Sequence, residues 1–223
     1  MAVIHHTTLS PTKLELLSTW LPAQPWYRGT GQQPELARTG GFRLDDPKGE
    51  VGIEFMVVTD TSGDQPAEYQ VLFSYRGAPL PGADDALIGT TEHGVLGQRW
   101  VYDGAHDPVV VAQLLALVVG QAEPQMQSTS DTPDPSVTAR LDEPGITAEL
   151  AASTATNSPD GTAILVTTAP DGRRLTLHIN RELRPGRPGR SANGQALGHV
   201  TAPAPLPDGT TAPTTFVEVH AHP

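Results

Sequence analysis

Histidines and carboxylates are the residues of this sequence that most directly suggest chemistry. The chain has eight histidines and no cysteine, which excludes disulfides, thiolate metal sites and cysteine nucleophiles. Residues two apart on a strand point to one side, so His220 and His222 could chelate a metal ion weakly. For this pair and for His5 and His6 we favour frayed chain ends instead. His93 adjoins a glycine, and we expect it to make structural hydrogen bonds.

Paired carboxylates are required by glycoside hydrolases, and two adjacent pairs are present, Asp45–Asp46 and Asp84–Asp85. Neighbouring residues on a strand point apart and both pairs adjoin Gly or Pro, so we interpret them as solvated loop acids. Glu54 stands in an otherwise apolar stretch, and we interpret it as facing solvent on an amphipathic sheet. No Gly-x-Ser-x-Gly elbow is present. The sequence therefore predicts no catalytic residue, no metal ligand and no cofactor.

The charge distribution restricts the classes of partner. Residues 1–135 carry seven Lys and Arg against 17 Asp and Glu, whereas residues 136–223 carry seven against eight. An acidic front half is repelled by phosphate backbones and anionic lipids, so we expect neither a nucleic acid nor a membrane partner. No signal segment and no apolar run of membrane-spanning length is found. We expect a cytoplasmic protein, and the sequence leaves its oligomeric state open.

Residues 20–29, here called the aromatic segment, hold two of the three tryptophans. Two prolines lie between Trp20 and the adjacent pair Trp26 and Tyr27, and they forbid a regular helix and stiffen the backbone. We expect this segment to be a rigid plug around which neighbouring elements pack. Together with Trp100 and Tyr102, its rings are also a possible surface for a sugar or a protein partner, and we favour core packing as their first role.

The front part of the chain predicts two helices and two hairpins. Ser10 and Pro11 predict the start of a helix that ends before Pro22, followed by a polar loop over residues 29–41. Alternating apolar residues predict a hairpin of strands 51–60 and 68–76. A shorter hairpin turns at His93–Gly94, and Asp107–Pro108 begins a second helix that stops at Gly120.

The rear part predicts strands alone. Residues 121–136 have no periodicity and are interpreted as a linker or long surface segment. Short strands are predicted at 137–141, 162–168, 174–181, 199–203 and 214–220, with a proline-glycine-arginine loop at 184–190. The fold class is therefore α+β: antiparallel sheets with two main helices in the N-terminal part, followed by a β-rich part.

Two motifs of the front part resemble a known family. The Trp-Leu-Pro-x-Gln-x-Trp-Tyr-x-Gly sequence from Trp20 to Gly29 and the Tyr-Asp-Gly-Ala-His-Asp-Pro sequence from Tyr102 to Pro108 are similar to the N-terminal cap of bacterial maltokinases. These are sugar kinases of trehalose and α-glucan metabolism. The resemblance spans about residues 14–119.

The resemblance continues into the rear part. In those kinases the cap leads into a kinase small lobe, whose strand with the phosphate-binding lysine ends in an Arg-Arg-Leu-x-Pro-Gly-type segment. Residues 175–186 stand in the corresponding place, and His178 matches the position of the lysine. A kinase requires a fixed cation there and an acidic partner on the next helix, but no Asp or Glu lies between Glu182 and Asp208.

The resemblance implies a maltokinase cap-like region at 1–122, a linker at 123–136 and a degenerate, β-rich kinase-small-lobe-like region at 137–223. The catalytic-loop aspartate and the metal-binding aspartate motif of the family cannot be placed. We therefore expect a non-catalytic interaction or regulatory protein, with a sugar kinase, a trehalose-forming enzyme or a glucan-branching enzyme as partner. A small carbohydrate-binding module, and half of a sugar kinase completed by another chain, remain as alternatives.

Overall fold

In the computed structural model, residues 8–29, 31–184, 196–206 and 208–222 are described. They form two antiparallel sheets and two helices. The helices are α1 (Lys13–Trp20) and α2 (Pro108–Val118). The strands are β1 (Leu9–Ser10), β2 (Leu36–Leu44), β3 (Val51–Asp60), β4 (Ala67–Arg76), β5 (Leu87–His93), β6 (Gly97–Asp103), β7 (Gln125–Met126), β8 (Thr138–Leu141), β9 (Leu150–Ser158), β10 (Gly161–Thr168), β11 (Arg174–Ile179), β12 (Glu182–Leu183), β13 (Gly198–Pro205) and β14 (Thr211–Ala221).

The first sheet has the strand order β1-β5-β6-β4-β3-β2-β7. One edge of strand β4 pairs along its whole length with β3, whereas its other edge pairs with two strands, β6 and β12. Residues 73–76 pair with β6, and Tyr69 and Glu68 pair with β12, which belongs to the rear part of the chain. The chain thus returns from the second sheet to complete the first.

The second sheet has the order β8-β13-β14-β11-β10-β9, all antiparallel. Its inward residues alternate with outward ones, as in β10, where Ile164 and Val166 are fully buried and Ala163 and Leu165 are half-exposed. Helix α2 lies against β9, β8 and β13 of this sheet.

One hydrophobic core is shared by both sheets and α2. Phe42, Phe55 and Leu72 of the first sheet join Leu114 of α2 and Phe216 of the second sheet in a single cluster. A second cluster, on the opposite face of the first sheet, holds α1 and the aromatic segment. The first sheet is therefore buried on both faces. Strand β3 accordingly has only two half-exposed residues among its ten.

The predicted start of the first helix is wrong by two residues. Thr12, not Ser10, is the N-cap: its hydroxyl accepts from the Glu15 N–H at 3.3 Å, and the Glu15 carboxylate accepts from the Thr12 N–H at 2.7 Å. This reciprocal capping box satisfies two N–H groups, which a Ser10 cap could not do. Ser10 instead pairs with Glu92 in the first sheet.

The loop predicted at residues 29–41 contains most of a strand. Strand β2 runs from Leu36 to Leu44, and its first half is largely exposed, with Arg38 and Thr39 facing solvent. The hydrogen bonds to β3 hold it, with a register shift between Arg38 and Gly40. Without an apolar alternation over residues 36–41, the sequence carried no strand signal.

The other predicted elements are confirmed to within a few residues. The first hairpin is β3–β4, and the second is β5–β6. Asp107 caps α2 through the Val109 N–H at 3.0 Å, and Gly120 has a φ of +76° just after the helix. Strand β9 was missed, because its Ala, Ser and Thr residues are small and half-exposed. Strands β8, β10, β11, β13 and β14 lie where strands were predicted.

The segment predicted as a linker takes part in the first sheet. Gln125 and Met126 form β7 and pair with Arg43 and Phe42 of β2. The region boundaries at 122 and 136 stay predictions. In the described parts of the chain, no helix follows α2, and neither helix is long and apolar enough to cross a membrane.

Gly41 provides a stability test of this fold. Its φ is +126°, and an added Cβ would lie 2.0 Å from the backbone oxygen of Phe55. We expect Gly41→Ala to cost about 2 kcal/mol or more of unfolding free energy, because the neighbouring atom is backbone and cannot move aside. Equilibrium urea unfolding measures this loss.

Gly40→Ala is the matched control. A Cβ at Gly40 would meet Val57 and Pro203 only at 3.8 Å and beyond, which is ordinary contact. We expect it to change the unfolding free energy by less than about 0.5 kcal/mol. Equal costs at positions 40 and 41 would contradict the register of β2 on β3.

Candidate functional site

The aromatic segment is a packed cluster of rings on one face of the first sheet. Trp26 is 1% exposed and lies 5.7 Å from Trp20 and 6.1 Å from Tyr69, measured between ring centroids. Tyr27 lies 5.2 Å from Tyr69, and its hydroxyl donates to Asp60 Oδ2 at 2.5 Å. Burial and this carboxylate raise the pKa of Tyr27. Trp20 and Tyr27 remain half-buried at the edge of the cluster.

The other two aromatic candidates lie on the opposite face. Val101 belongs to the cluster of the aromatic segment, so its neighbours Trp100 and Tyr102 point away from it. Tyr102 packs in a small separate cluster beside Trp100 and accepts a hydrogen bond from the Leu80 N–H at 2.9 Å. The five predicted surface aromatics are thus divided by the sheet and do not form one platform.

The Tyr-Asp-Gly-Ala-His-Asp-Pro motif uses both of its aspartates in structural bonds. Asp107 caps α2 and also accepts from Arg76, at 2.6 Å and 2.7 Å, while fully buried. Asp103 accepts from the Ala105 N–H at 3.2 Å and from Arg181. Each carboxylate thus holds both a tight turn and a distant arginine, which explains why the motif needs acids at these positions.

Arg181 joins the three parts of the molecule. Its guanidinium is fully buried and donates to both oxygens of Asp103 at 2.6 Å, and its Nε donates to the Thr162 hydroxyl at 2.8 Å. The same group lies 5.2 Å from the ring centroid of Trp26. The first sheet, the second sheet and the aromatic segment therefore meet at one cation.

Glu54 does not face solvent, so that interpretation was wrong. The residue is 3% exposed and accepts from Lys13 at 2.6 Å, Tyr75 at 2.6 Å and Gln127 at 2.8 Å. Burial acts to raise the pKa of Glu54, but the charge of Lys13 and the three hydrogen bonds together lower it. The hydrogen bonds of this carboxylate consequently link β3 to α1, to β4 and to the residues after β7.

His178 lies on the outward face of β11. It is opposite Glu218 of β14, and its Nε2 lies 3.2 Å from the Asp160 carbonyl oxygen. Burial lowers the pKa of His178 against the opposing influence of Glu218. The His178 ring is therefore mostly neutral at pH 7 and faces a carboxylate.

The remaining sequence candidates have structural surroundings. Asp84 and Asp85 are exposed as predicted, but Asp46 is 5% exposed and accepts from three backbone N–H groups of its own turn. His93 Nδ1 accepts from the Val95 and Leu96 N–H groups, which confirms its structural role.

The two histidines near the C-terminal end have side-chain partners within the second sheet: His220 Nε2 lies 3.3 Å from Glu218 Oε2. His222 contacts the Thr176 hydroxyl at 3.1 Å. Among the residues that the structure describes, no group of three or more His, Asp or Glu could hold a metal ion. His5, His6 and most of the 184–190 loop lie outside the described residues.

Sequence reasoning missed the pairing of Arg181 with Asp103. Both residues lie in the segments quoted for the resemblance, but they are 78 positions apart in the sequence. A salt bridge between residues so far apart in the sequence leaves no periodic signal. The available hint was an arginine at the end of an apolar strand, where a buried charge requires a partner.

We expect Arg181→Met to cost about 3–5 kcal/mol of unfolding free energy, because it leaves the Asp103 carboxylate buried without a counter-charge. Adding Asp103→Asn to that variant should recover part of the loss. Urea unfolding of the single and double variants measures both effects. Arg184→Met is the control: its pair with Glu182 is partly exposed, and its loss should cost below about 1 kcal/mol.

Lys13→Met should destabilise the protein at pH 7 by about 3 kcal/mol, because burial then dominates and the pKa of Glu54 rises. In the native protein, the lowered pKa of Glu54 contributes stability above the unfolded pKa, and this is lost as the pH falls through the folded value. The gap between the two proteins should accordingly shrink towards pH 4, where a protonated Glu54 needs no counter-charge. Unfolding curves at both pH values measure it, and exposed Lys48→Met should show no such gap.

Comparisons with known proteins support the resemblance seen in the sequence. No curated protein matches the chain. Residues 20–107 match the family model of the maltokinase N-terminal cap domain. The match begins at the first residue of the aromatic segment and ends at the N-cap of α2, so it includes both quoted motifs almost entirely. The cap-like resemblance predicted from these motifs is therefore confirmed over residues 20–107, which match the maltokinase N-terminal cap domain.

Proposed function

We propose that the protein is a non-catalytic interaction or regulatory protein of trehalose and α-glucan metabolism, the metabolism in which maltose 1-phosphate is formed. The cap match over residues 20–107 supports the metabolic link. The observation that carries the non-catalytic role is the environment of His178.

A kinase holds the phosphates of ATP with a fixed cation on a small-lobe strand. Burial lowers the pKa of His178, so its ring carries little charge at neutral pH. Glu218 lies directly opposite on β14 and is 3% exposed. A buried carboxylate beside a neutral ring repels a triphosphate, so this place opposes ATP binding rather than favouring it.

The acids of the cap motif offer no replacement. Asp103 and Asp107 are each paired with a buried or half-buried arginine and each hold a turn. A base for phosphoryl transfer has to reach the sugar hydroxyl, and these carboxylates are enclosed within the protein. The features that carry the family resemblance are thus features of folding.

We further infer that residues 137–223 are a degenerate kinase small lobe. An antiparallel sheet with His178 at the lysine position supports this origin. Within residues 119–184, 196–206 and 208–222 no helix is found. In a kinase the acidic partner of the lysine lies on a helix, so these residues provide no helix for such a partner. A hydrophobic core shared with the cap region stabilises this sheet.

A non-catalytic protein acts through a partner. The candidates that share its metabolism are a sugar kinase, a trehalose-forming enzyme and a glucan-branching enzyme of the same cell. The half-buried Trp20 and Tyr27 at the edge of the aromatic segment are the part of the cap that offers rings to a partner.

The experiment uses the purified full chain. Thermal unfolding with saturating ATP and Mg²⁺ should show no stabilisation, whereas an active maltokinase treated in parallel should be stabilised. The protein is mixed with each purified candidate enzyme in turn, and each mixture is analysed by size-exclusion chromatography and by an assay of that enzyme's activity. One of the three enzymes should form a complex with the protein, and its reaction rate should change in that complex. Trp20→Ala should weaken this complex, and Trp100→Ala, on the opposite face of the sheet, is the matched control.

Three results separate the proposal from its alternatives. A thermal shift with ATP, or phosphate transfer to maltose, would contradict the non-catalytic role. If the protein associates with none of the three enzymes, the interaction role is contradicted. A saturable change of Trp fluorescence with maltose, trehalose or glycogen fragments, in the absence of association, would replace it with carbohydrate binding.

A further inference from the structure

Strand β9 is an open end of the second sheet. Among the described residues it pairs with β10 on one side, and no strand pairs with its other side. The other end strands are shorter: β8 has four residues and β1 and β7 have two each, whereas β9 has nine. An unpaired edge presents a row of backbone N–H and C=O groups to which another strand can bind. The proposed function does not use this edge.

The hydrogen bonds at the end of β10 show which residues of β9 present these groups. The Thr168 N–H donates to the Arg173 carbonyl, on the side of β11, and the Ala169 N–H donates to the Glu149 carbonyl, on the side of β9. Because successive residues of a strand bond to alternate sides, the odd-numbered residues of β10 bond to β9. Their partners in β9 have even numbers and are Ala152, Thr154, Thr156 and Ser158.

The backbone groups of Ser153, Ala155 and Asn157 therefore point to the open edge. In the part of the chain that the structure describes, none of these N–H and C=O groups has a hydrogen-bond partner. The Ala155 side chain packs against the hydrophobic core to which α2 belongs. The strand is thus held through its inward face and through β10, while its edge stays open.

The composition of β9 favours a second copy of the same strand as the occupant. From Leu150 to Ser158 it contains no charged residue, no proline and no aromatic residue, although the chain carries a net charge of −11. Strand edges that avoid association commonly carry a charge or a proline, and β9 has neither. Two copies of an acidic chain can meet along a neutral strand without repulsion between facing side chains.

Antiparallel pairing of β9 with its own copy satisfies all the open groups when the two-fold axis passes through Ala155. Ala155 then lies opposite Ala155 of the second copy, and Ser153 lies opposite Asn157 of the second copy. Each of these pairs exchanges two hydrogen bonds. On the outward face Thr154 meets Thr156 of the second copy, which is a favourable cross-strand pair. This ladder ends before the register irregularity beside Leu150.

Opposite charges meet at both ends of such a ladder. In this register the exposed Glu149 of one copy comes close to residues 159–161 of the other. The Arg28 guanidinium lies there, because its Nη2 donates to the Pro159 carbonyl at 2.9 Å, and its side chain is 49% exposed. This cation offsets the charge of Asp160 and of the arriving Glu149. The charge distribution around β9 is therefore complementary to that of a second copy.

We propose that two copies of this chain associate edge to edge through β9, so that their second sheets become one continuous antiparallel sheet with a two-fold axis at Ala155. The association requires neither a partner enzyme nor the rings of Trp20 and Trp100. It is therefore independent of the proposed function, and each can fail without the other.

Sedimentation equilibrium of the purified full chain measures the association. The average mass should rise from that of one chain, 23.6 kDa, towards twice that value as the concentration increases from about 5 to 500 µM. Ser153→Pro removes an edge N–H but no hydrogen bond to β10, and it should weaken the association at least about tenfold.

Charge variants test the register. A chain with Thr154→Lys and Thr156→Lys, and one with Thr154→Glu and Thr156→Glu, should each remain monomeric, because like charges then lie opposite one another. An equimolar mixture of the two should form the dimer again. Thr138→Lys, on the exposed end strand β8 of the same sheet, is the matched control and should associate like the unaltered chain.

Amide hydrogen exchange of the unaltered protein gives a second readout. Raising the concentration should slow the exchange of Ser153, Ala155 and Asn157, while Thr154 and Thr156 are already protected by β10 at low concentration. A chain that stays monomeric at about 500 µM would overturn the proposal. A dimer that persists in both charge variants would also overturn it, because another surface would then hold the copies together. So would protection of these amides that appears only when a different protein is added.

Discussion

The contact of Arg181 with Asp103 is the interaction on which the rest of the structure depends. The Nη2 atom of the fully buried Arg181 guanidinium donates to both oxygens of the Asp103 carboxylate, which is 1% exposed, at 2.6 Å each. Removing both charges from water costs several kcal/mol per ion, and their attraction offsets this only when the geometry is good and further bonds are made. Here the Thr162 hydroxyl and the face of Trp26 also contact the cation, while its buried Nη1 has no hydrogen-bond partner among the described residues. The pair therefore contributes more to the relative placement of the parts than to net stability.

This constraint explains how the cap-like domain and the second sheet are combined. Arg181 lies between β11 and β12 and immediately precedes β12, which pairs with β4 of the first sheet. The Gln70 N–H donates to the Arg181 carbonyl at 2.8 Å, so backbone and side chain both tie the rear part to the front. The hydrophobic core between the sheets adds the larger, non-directional stabilisation. Directional bonds of buried charges select one arrangement among the many that would bury similar areas.

Buried acids recur throughout the molecule, and their partners determine what they do. Glu54 is satisfied by three donors, Asp107 by Arg76 and the start of α2, and Asp103 by Arg181. Glu218 is the exception, with one oxygen that lacks a donor among the described residues. The acids of the cap motif are therefore structural elements with satisfied oxygens, whereas Glu218 keeps one buried oxygen that no described residue satisfies.

Local patterns in the sequence determined several elements. The alternation of β3 and β4, the Asp107–Pro108 start of α2 and the stop at Gly120 are encoded by neighbouring residues, and the structure contains them where they were predicted. The two cap motifs identified the family, since they depend on short spacings. Strand β2 escaped prediction because backbone pairing with β3, not its own side chains, holds residues 36–41.

Only the tertiary structure decided which charges are buried and what they meet. Glu54 has the sequence context of a solvent-facing residue, and it is buried because α1 and Gln127 cover that face of the sheet. Arg181 and Asp103, and likewise His178, Glu218 and His199, come together through strand order and register across long separations. Helix and turn signals act between neighbours, whereas the fate of a charge depends on everything that packs around it. For this reason the sequence alone determined several elements and the cap-like resemblance of residues 20–107, whereas the fold decided which charged side chains meet.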